Sequence, residues 1–405
     1  MPSHSPVPDE HACLSCGSTD VELFHQEAGV PVNSCLLLAS EAEARAFPRG
    51  AIRLGFCHAC GFIANTAFDQ ALAEYSTRYE ETQGFSPRFQ RFADDLAHRL
   101  VDRFDLHDKD ILEIGCGKGE FLLRVCELGD NRGVGVDPSV VLDRVHGPAA
   151  DRVSFIADLY RKQHADLPAD FVICRHTLEH ISDVAGFMEL LRANLAGREA
   201  TTVFFELPDV LRVLREVAFW DIYYEHCSYF TVGSLVRLFE RNGFTVLDAS
   251  LDYDDQYILL EARTDDGGSG GLRERSGRPV AVDQVEDVAA AVGEFRRRHQ
   301  AQLASWDARL AGLSAAGRRA VVWGAGSKGV AFLCALPAAE RIEVAVDINP
   351  YKHGMFMAAT GQRIVPPAFL ADYRPDVVIV MNPIYRDEIR AELDRLRVEA
   401  DVVAV

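Results

Sequence analysis

Long hydrophobic runs are missing from this chain of 405 residues. No stretch reaches the roughly 18 apolar residues that a membrane helix needs, and Met1 to Glu10 holds no apolar signal core, so the expected location is cytoplasmic, away from any membrane. Positive charge is also scarce. Forty-two Lys and Arg stand against 61 Asp and Glu, a net charge of −19 that argues against a nucleic-acid partner. A single nucleotide remains acceptable, because a few local arginines can offset its phosphates. With 48% hydrophobic residues the chain can bury a core, and its length suits two or three domains.

The ten cysteines are not spread as a disulfide framework would be. Cys13-Leu-Ser-Cys16 and Cys57-His-Ala-Cys60 are two C-x2-C knuckles 40 residues apart, each followed by glycine. Four thiolates close a tetrahedral zinc site and leave no position open for a substrate water, which makes the expected Zn2+ structural. The short apolar runs between the knuckles need that metal to fold. A catalytic metal, a redox dithiol and a nucleic-acid ribbon are the alternatives, although the intervening segment is not basic. Cys35 reads as a buried apolar residue, with a ligand role left open.

The chain is organised around Ile111-Leu-Glu-Ile-Gly-Cys-Gly-Lys-Gly-Glu-Phe121. An apolar strand ends in Gly115, Gly117 and Gly119, and a helical pattern follows at once. Glycines there let a ligand approach the backbone and the helix N-terminus. A second strand, Val134-Gly-Val-Asp137, ends in a carboxylate suited to ribose hydroxyls. Glycines at the first, third and fifth positions, with Glu113 just before them, depart from the dinucleotide spacing. The form resembles motif I of class I S-adenosylmethionine (SAM) methyltransferases, and it implies Glu113, Gly115, Gly117, Gly119 and Asp137 as the cofactor set, with Asp158 and Leu159 on the adenine side.

Further strands are expected at Val153 to Leu159, Phe171 to Cys174 and Thr202 to Pro208, giving a doubly wound parallel sheet closed by an antiparallel hairpin. His176 follows a strand end and is a site candidate by position; His180 reads as the start of a locally packed helix. Tyr223, Tyr224, Glu225, His226 and Tyr229 fall within seven residues, more acid, base and hydroxyl groups than packing requires. A His beside a Glu is a candidate base whose affinity for protons the neighbour raises.

Thr264 to Gly277 reads as a flexible linker, and Val282 to Leu313 as a long amphipathic helix. A second strand, glycine loop and helix follow, with Gly324, Gly326 and Gly329 at dinucleotide spacing and Asp347 ending the next strand. A nicotinamide site, a substrate-nucleotide site and a non-binding repeat all fit that loop. The resulting division is 1–74 for the zinc module, 75–265 for the methyltransferase domain, 266–316 for linker and helix, and 317–405 for a carboxy-terminal Rossmann-like domain.

Taken together, the knuckles, Tyr223-Tyr-Glu-His-Cys-Ser-Tyr-Phe230, Gly324-Ala-Gly-Ser-Lys-Gly329, Asp347-Ile-Asn-Pro-Tyr-Lys352 and Asn382-Pro-Ile-Tyr-Arg-Asp-Glu-Ile389 resemble the three-domain sugar C-methyltransferases, which act on nucleotide-linked deoxyketosugars. The resemblance implies a structural zinc, SAM in the central domain and a nucleotide sugar enclosed by the last. It nominates Tyr223, Glu225 and His226, with Tyr79 or Tyr75 from the amino-terminal part; His176, a candidate by its position, is the substitute for His226 as base. The late hairpin departs from the family: Asp254-Asp-Gln-Tyr-Ile258 stands where a His-Gly-Gly-Ser type of stretch is common. The substrate is therefore expected to differ in nucleotide, in the carbon methylated, or in kind. An O- or N-methyltransferase and a NAD-dependent oxidoreductase are the rival activities, and the sequence leaves the oligomeric state open.

Overall fold

A computed structural model describes residues 12–73, 75–198, 201–264 and 282–405. The polar amino terminus and nearly all of the expected linker lie outside them. Three sheets organise the fold. Strands β1 (Val21–Pro31), β2 (Arg49–Cys57) and β3 (Ile63–Asn65) pair antiparallel. The second sheet holds β4 (Asp110–Ile114), β5 (Arg132–Val136), β6 (Val153–Ile156), β7 (Phe171–Arg175) and β8 (Thr202–Pro208). The two-residue β9 (Ser228–Tyr229) then crosses to the first sheet and pairs with β3. The zinc-module sheet is thus completed by a strand from the far side of the expected boundary at 74.

The hairpin β10 (Phe244–Asp252) and β11 (Tyr257–Thr264) closes the second sheet in the order β10-β11-β8-β7-β4-β5-β6. All of its strands except the hairpin's run parallel, and their near-continuous apolar character suits a sheet covered on both faces. The order reverses between β4 and β7, and the crevice beyond that point is where open α/β sheets take ligands. The third sheet is wholly parallel, β14-β13-β12-β15-β16, from β12 (Ala320–Trp323), β13 (Val344–Val346), β14 (Arg363–Val365), β15 (Val377–Val380) and β16 (Asp401–Ala404). Its switch point lies between β12 and β15.

The helix Val285–Ala315 joins the parts. Val288, Ala291, Val292, Phe295, His299, Trp306 and Leu310 recur at three- and four-residue steps and are buried along one face. Phe295 meets Phe24 of β1 edge-on at 6.2 Å, and Trp306 meets Phe332 of the last domain at 5.2 Å. Phe332 in turn stacks on Phe219 at 6.0 Å. Each such ring contributes about 2 kcal/mol by burial, so a few aromatic anchors fix the three sheets against one another. Among the described residues no helix is long and apolar enough to cross a membrane.

Candidate active site

The first glycine loop is shaped for close approach. Gly115, Gly117 and Gly119 have φ of 71°, 53° and 82°. A Cβ on Gly115 would lie 1.8 Å from Thr177 Oγ1, and one on Gly119 would lie 2.4 Å from the Phe155 ring. Any side chain therefore meets both left-handed strain and a clash. We expect Gly119→Ala to weaken S-adenosylhomocysteine binding at least about tenfold, through ~1–2 kcal/mol of strain plus the displaced loop; calorimetric titration against wild type reads this directly, and equal affinity would dismiss the loop as the binding element.

Asp137 accepts from Gly117 N at 2.9 Å and from Ser139 N and Oγ at 2.6 and 2.7 Å. Asp158, half-buried, accepts from Leu159 N at 2.8 Å, and Leu159 is exposed beside it. Glu113 is buried under the loop, and burial pushes its carboxyl up to about 8 despite the nearby Arg175. It is therefore neutral at pH 7.

Residues 75–86 cross the mouth of this crevice as a strap. Lys118, the loop's own lysine, is buried and donates to Tyr79 O at 2.7 Å and Ser139 O at 2.8 Å. Glu80 accepts from Arg144 at 2.7 Å and from Asn349 Nδ2 of the last domain at 2.8 Å. Gln83 donates to Tyr257 at 3.1 Å and accepts from Tyr385 at 3.0 Å. One short segment thus ties the central and last domains together over the site.

Tyr223 and His226 lie beneath the strap, with ring centroids 4.2 Å apart. The His180 ring meets His226 at 4.8 Å, nearly perpendicular, and His180 Nδ1 is 3.0 Å from both the Tyr75 hydroxyl and Glu225 O. Tyr75 and Tyr79 pack edge to face at 5.5 Å. The site thus gains His180, which the sequence reading treated as packing. The repeated Glu-His dipeptide, Glu179-His180 and Glu225-His226, was the available signal.

Glu225 is a correction. Its carboxyl accepts from Ser34 N at 2.8 Å and from Ser34 Oγ, and burial and neighbouring bases, rather than Glu225, set the state of His226. The expected upward shift of His226 is reversed: burial first, with the neighbouring bases His180, His176 and Lys328 adding to it, holds it well below the usual histidine range. His226 is a neutral imidazole.

His176 has the opposite character. It sits just past β7 with φ 47°, a conformation that costs a non-glycine residue about 1–3 kcal/mol. Its Nε2 is 2.9 Å from Glu206 Oε1, and Nδ1 is 3.6 Å from Glu179. Burial opposes its charge, but Glu206 and Glu179 outweigh burial and raise it to about 9. Its two carboxyl neighbours favour the protonated ring, which has no free electron pair with which to act as the substitute base.

At the second glycine loop, Asp347 accepts from Ala325 N at 3.0 Å and Asn349 N at 2.8 Å, repeating the Asp137 arrangement. Lys328 of this loop reaches Asp221 at 2.5 Å, and Arg212 meets the same carboxylate at 2.7 Å. Both glycine loops, Tyr223, His226 and His176 line one cavity of about 1270 Å³.

Remote from this cavity's chemistry, Cys13, Cys16, Cys57 and Cys60 bring their sulfurs within 4.8 Å of one another. The closest pairs, Cys13–Cys60 and Cys16–Cys57, are 3.7 and 3.6 Å apart, near the ~3.8 Å edge of a tetrahedron with 2.3 Å metal–sulfur bonds. The donor set fits zinc. Cys35 stands apart from it, buried, with Sγ 3.3 Å from Ser327 Oγ.

Comparison with known proteins agrees with this layout. Residues 86–249 match a family described as a methyltransferase domain, and residues 284–402 match one described as the C-methyltransferase C-terminal domain. The C-methyltransferase NovU of Streptomyces niveus is 28% identical over 308 residues, covering 73% of this chain and 71% of that protein. Among solved structures, magnesium protoporphyrin IX methyltransferase of Synechocystis PCC 6803 aligns with 44% of this chain and 84% of its own, at 18% identity and a TM-score of 0.33. The 1,6-didemethyltoxoflavin-N1-methyltransferase of Burkholderia thailandensis aligns with 45% and 83%, at 18% identity and a TM-score of 0.34. With a methyltransferase domain at residues 86–249 and a match to a C-methyltransferase C-terminal domain at residues 284–402, the protein is a SAM-dependent methyltransferase.

Proposed function

We propose that the protein methylates a carbon atom of a nucleotide-linked ketosugar. The observation that carries this reading is the single cavity shared by two sheet switch points. Its volume of about 1270 Å³ exceeds the roughly 300–1,000 Å³ of an ordinary ligand pocket and leaves room for two sizeable ligands. Gly115, Gly117, Gly119, Asp137, Asp158 and Leu159 would hold SAM, with neutral Glu113 beneath the loop. Gly324, Gly326 and the cations Lys328 and Arg212 would face the nucleotide of the substrate. The match of residues 284–402 to a C-methyltransferase C-terminal domain supports reading this second loop as part of a methyl-transfer enzyme.

SAM supplies an electrophilic methyl when bound. The protein must supply a carbon nucleophile, which a C–H bond beside a carbonyl becomes once a base removes its proton. His226 fits that task because it is buried and neutral. Its imidazole would take the α-proton, leaving the C–H electrons in an enolate whose carbon would be free to accept the methyl that bound SAM supplies, the sulfur keeping the departing pair. The hydroxyl of Tyr223 or Tyr79 donates to the enolate oxygen, and burial holds both hydroxyls protonated. Tyr75 keeps His180 in place behind His226. The four-cysteine site would hold a structural zinc.

Incubation with [methyl-13C]SAM and a panel of nucleotide ketosugars tests the proposal. We expect a product one methylene unit heavier whose labelled methyl resonates as carbon-bound. A methyl bonded to oxygen or nitrogen would overturn it.

A further inference from the structure

Two histidines of opposite charge state share the cavity, and the reading above uses only one. His176 is held by groups from three directions. Glu206 Oε1 on β8 lies 2.9 Å from Nε2 as an ion-pair contact outside hydrogen-bond alignment, and Arg175 on β7 fixes Glu206 through contacts of 2.6 and 3.1 Å. Glu179, in the turn that follows, is buried with both oxygens free of hydrogen bonds and lies 3.6 Å from Nδ1. From β11 the Tyr257 ring meets the imidazole edge-on at 4.6 Å. Beneath, Glu113 is uncharged at neutral pH, and His180 and His226 are both lowered by burial, so neither adds charge. The imidazole therefore lies between the carboxyl groups of Glu206 and Glu179, with Arg175 the cation already paired to Glu206. The strained backbone at His176 aims this ring at the crevice, where Nδ1 lies beyond hydrogen-bond reach of Glu179 and stays available to an incoming oxygen.

We propose that His176 is an imidazolium that stabilises the oxygen gaining negative charge as His226 removes the proton, and that Glu206 and Glu179 are positioning residues that hold it charged and aimed. The proposal rests on the function stated above. It gives the site a neutral base and a charged donor, set apart by their surroundings, as acid–base pairs in enzymes are.

The ring charge of His176 can be read without substrate. Selective 13C labelling of the 13 histidine rings, with assignment by loss of one resonance in His176→Asn, follows its titration in the full chain. We expect wild-type His176 to titrate near pH 9 and Glu206→Gln to bring it down by more than one unit, with Glu179→Gln giving a smaller fall. In turnover, the alkaline limb of kcat should move down with it while KM changes little. A His176 ring that is neutral at pH 7.5 in wild type overturns the assignment even if Glu206→Gln fails to fold. An alkaline limb that stays fixed while the titration moves overturns the role in turnover. A charged His176 in a protein that methylates no ketosugar would instead count against the substrate reading alone.

Discussion

His226→Gln is expected to lower kcat by about 10²–10⁴-fold, the usual worth of a positioned general base, with S-adenosylhomocysteine affinity unchanged. The argument rests on where the ring sits. His226 is buried, lies against Tyr223 and faces the cavity shared by both glycine loops. Its sequence neighbour Glu225 is bound by Ser34, and a Glu179 carboxylate oxygen and nitrogens of the His180 and His226 rings lie within 4.8 Å of one another. A histidine so placed enters the reaction neutral and needs no prior deprotonation. Wild-type turnover should therefore be flat from neutral pH well into the acid range and fall only as His226 protonates, since burial has lowered it. Glutamine fills similar volume without a basic nitrogen, so the loss should appear in kcat, not in the melting temperature. Steady-state kinetics with calorimetry on the same sample separates the two.

The second large effect concerns the four cysteines. Cys57→Ser should reduce bound zinc well below one equivalent and lower the melting temperature by about 10 °C or more, at roughly 2–4 °C per kcal/mol for domains of this size. The effect should reach the active site as well. Cys60 O accepts from Arg237 Nε at 2.9 Å, Phe62 packs on Phe230 at 5.1 Å, and Ile63 pairs with Tyr229 across β3 and β9. The knuckle therefore backs the segment that carries Tyr223 and His226. Metal analysis and a melting curve check the first claim, and methyl transfer checks the second. A fully stable, zinc-free variant would show that the cysteines are not a structural metal site.

The methyltransferase sheet, its hairpin and both glycine loops were legible in the sequence because each rests on local rules. Apolar strands, glycines at fixed offsets and a carboxylate after the second strand are all contiguous patterns. Contacts between distant segments were not legible. Nothing local in Ser34 or Glu225 announces that they bond each other across the chain, and it is burial, not Glu225, that sets the charge of His226. β9 is another case: two residues seldom read as a strand, and Ser228–Tyr229 becomes one only because β3 waits beside it. His180 was set aside because its neighbours suit a helix start; it instead ends a short 3-10 turn, Leu178–His180, ahead of the helix that begins at Val184, and turns its ring to His226. Histidine charge states were hidden for the same reason. His176 and His226 differ through Glu206 and Glu179 on one side and burial on the other, and only the folded chain brings those together.

The most direct test of carbanion chemistry at His226 uses S-adenosylhomocysteine, which fills the cofactor site without a methyl to give. With that product bound and a ketosugar that the enzyme turns over, in D2O, the account predicts exchange of the α-hydrogen for deuterium at a rate that collapses in His226→Gln. Retention of the α-hydrogen in wild type, or exchange that persists undiminished in the variant, would contradict it.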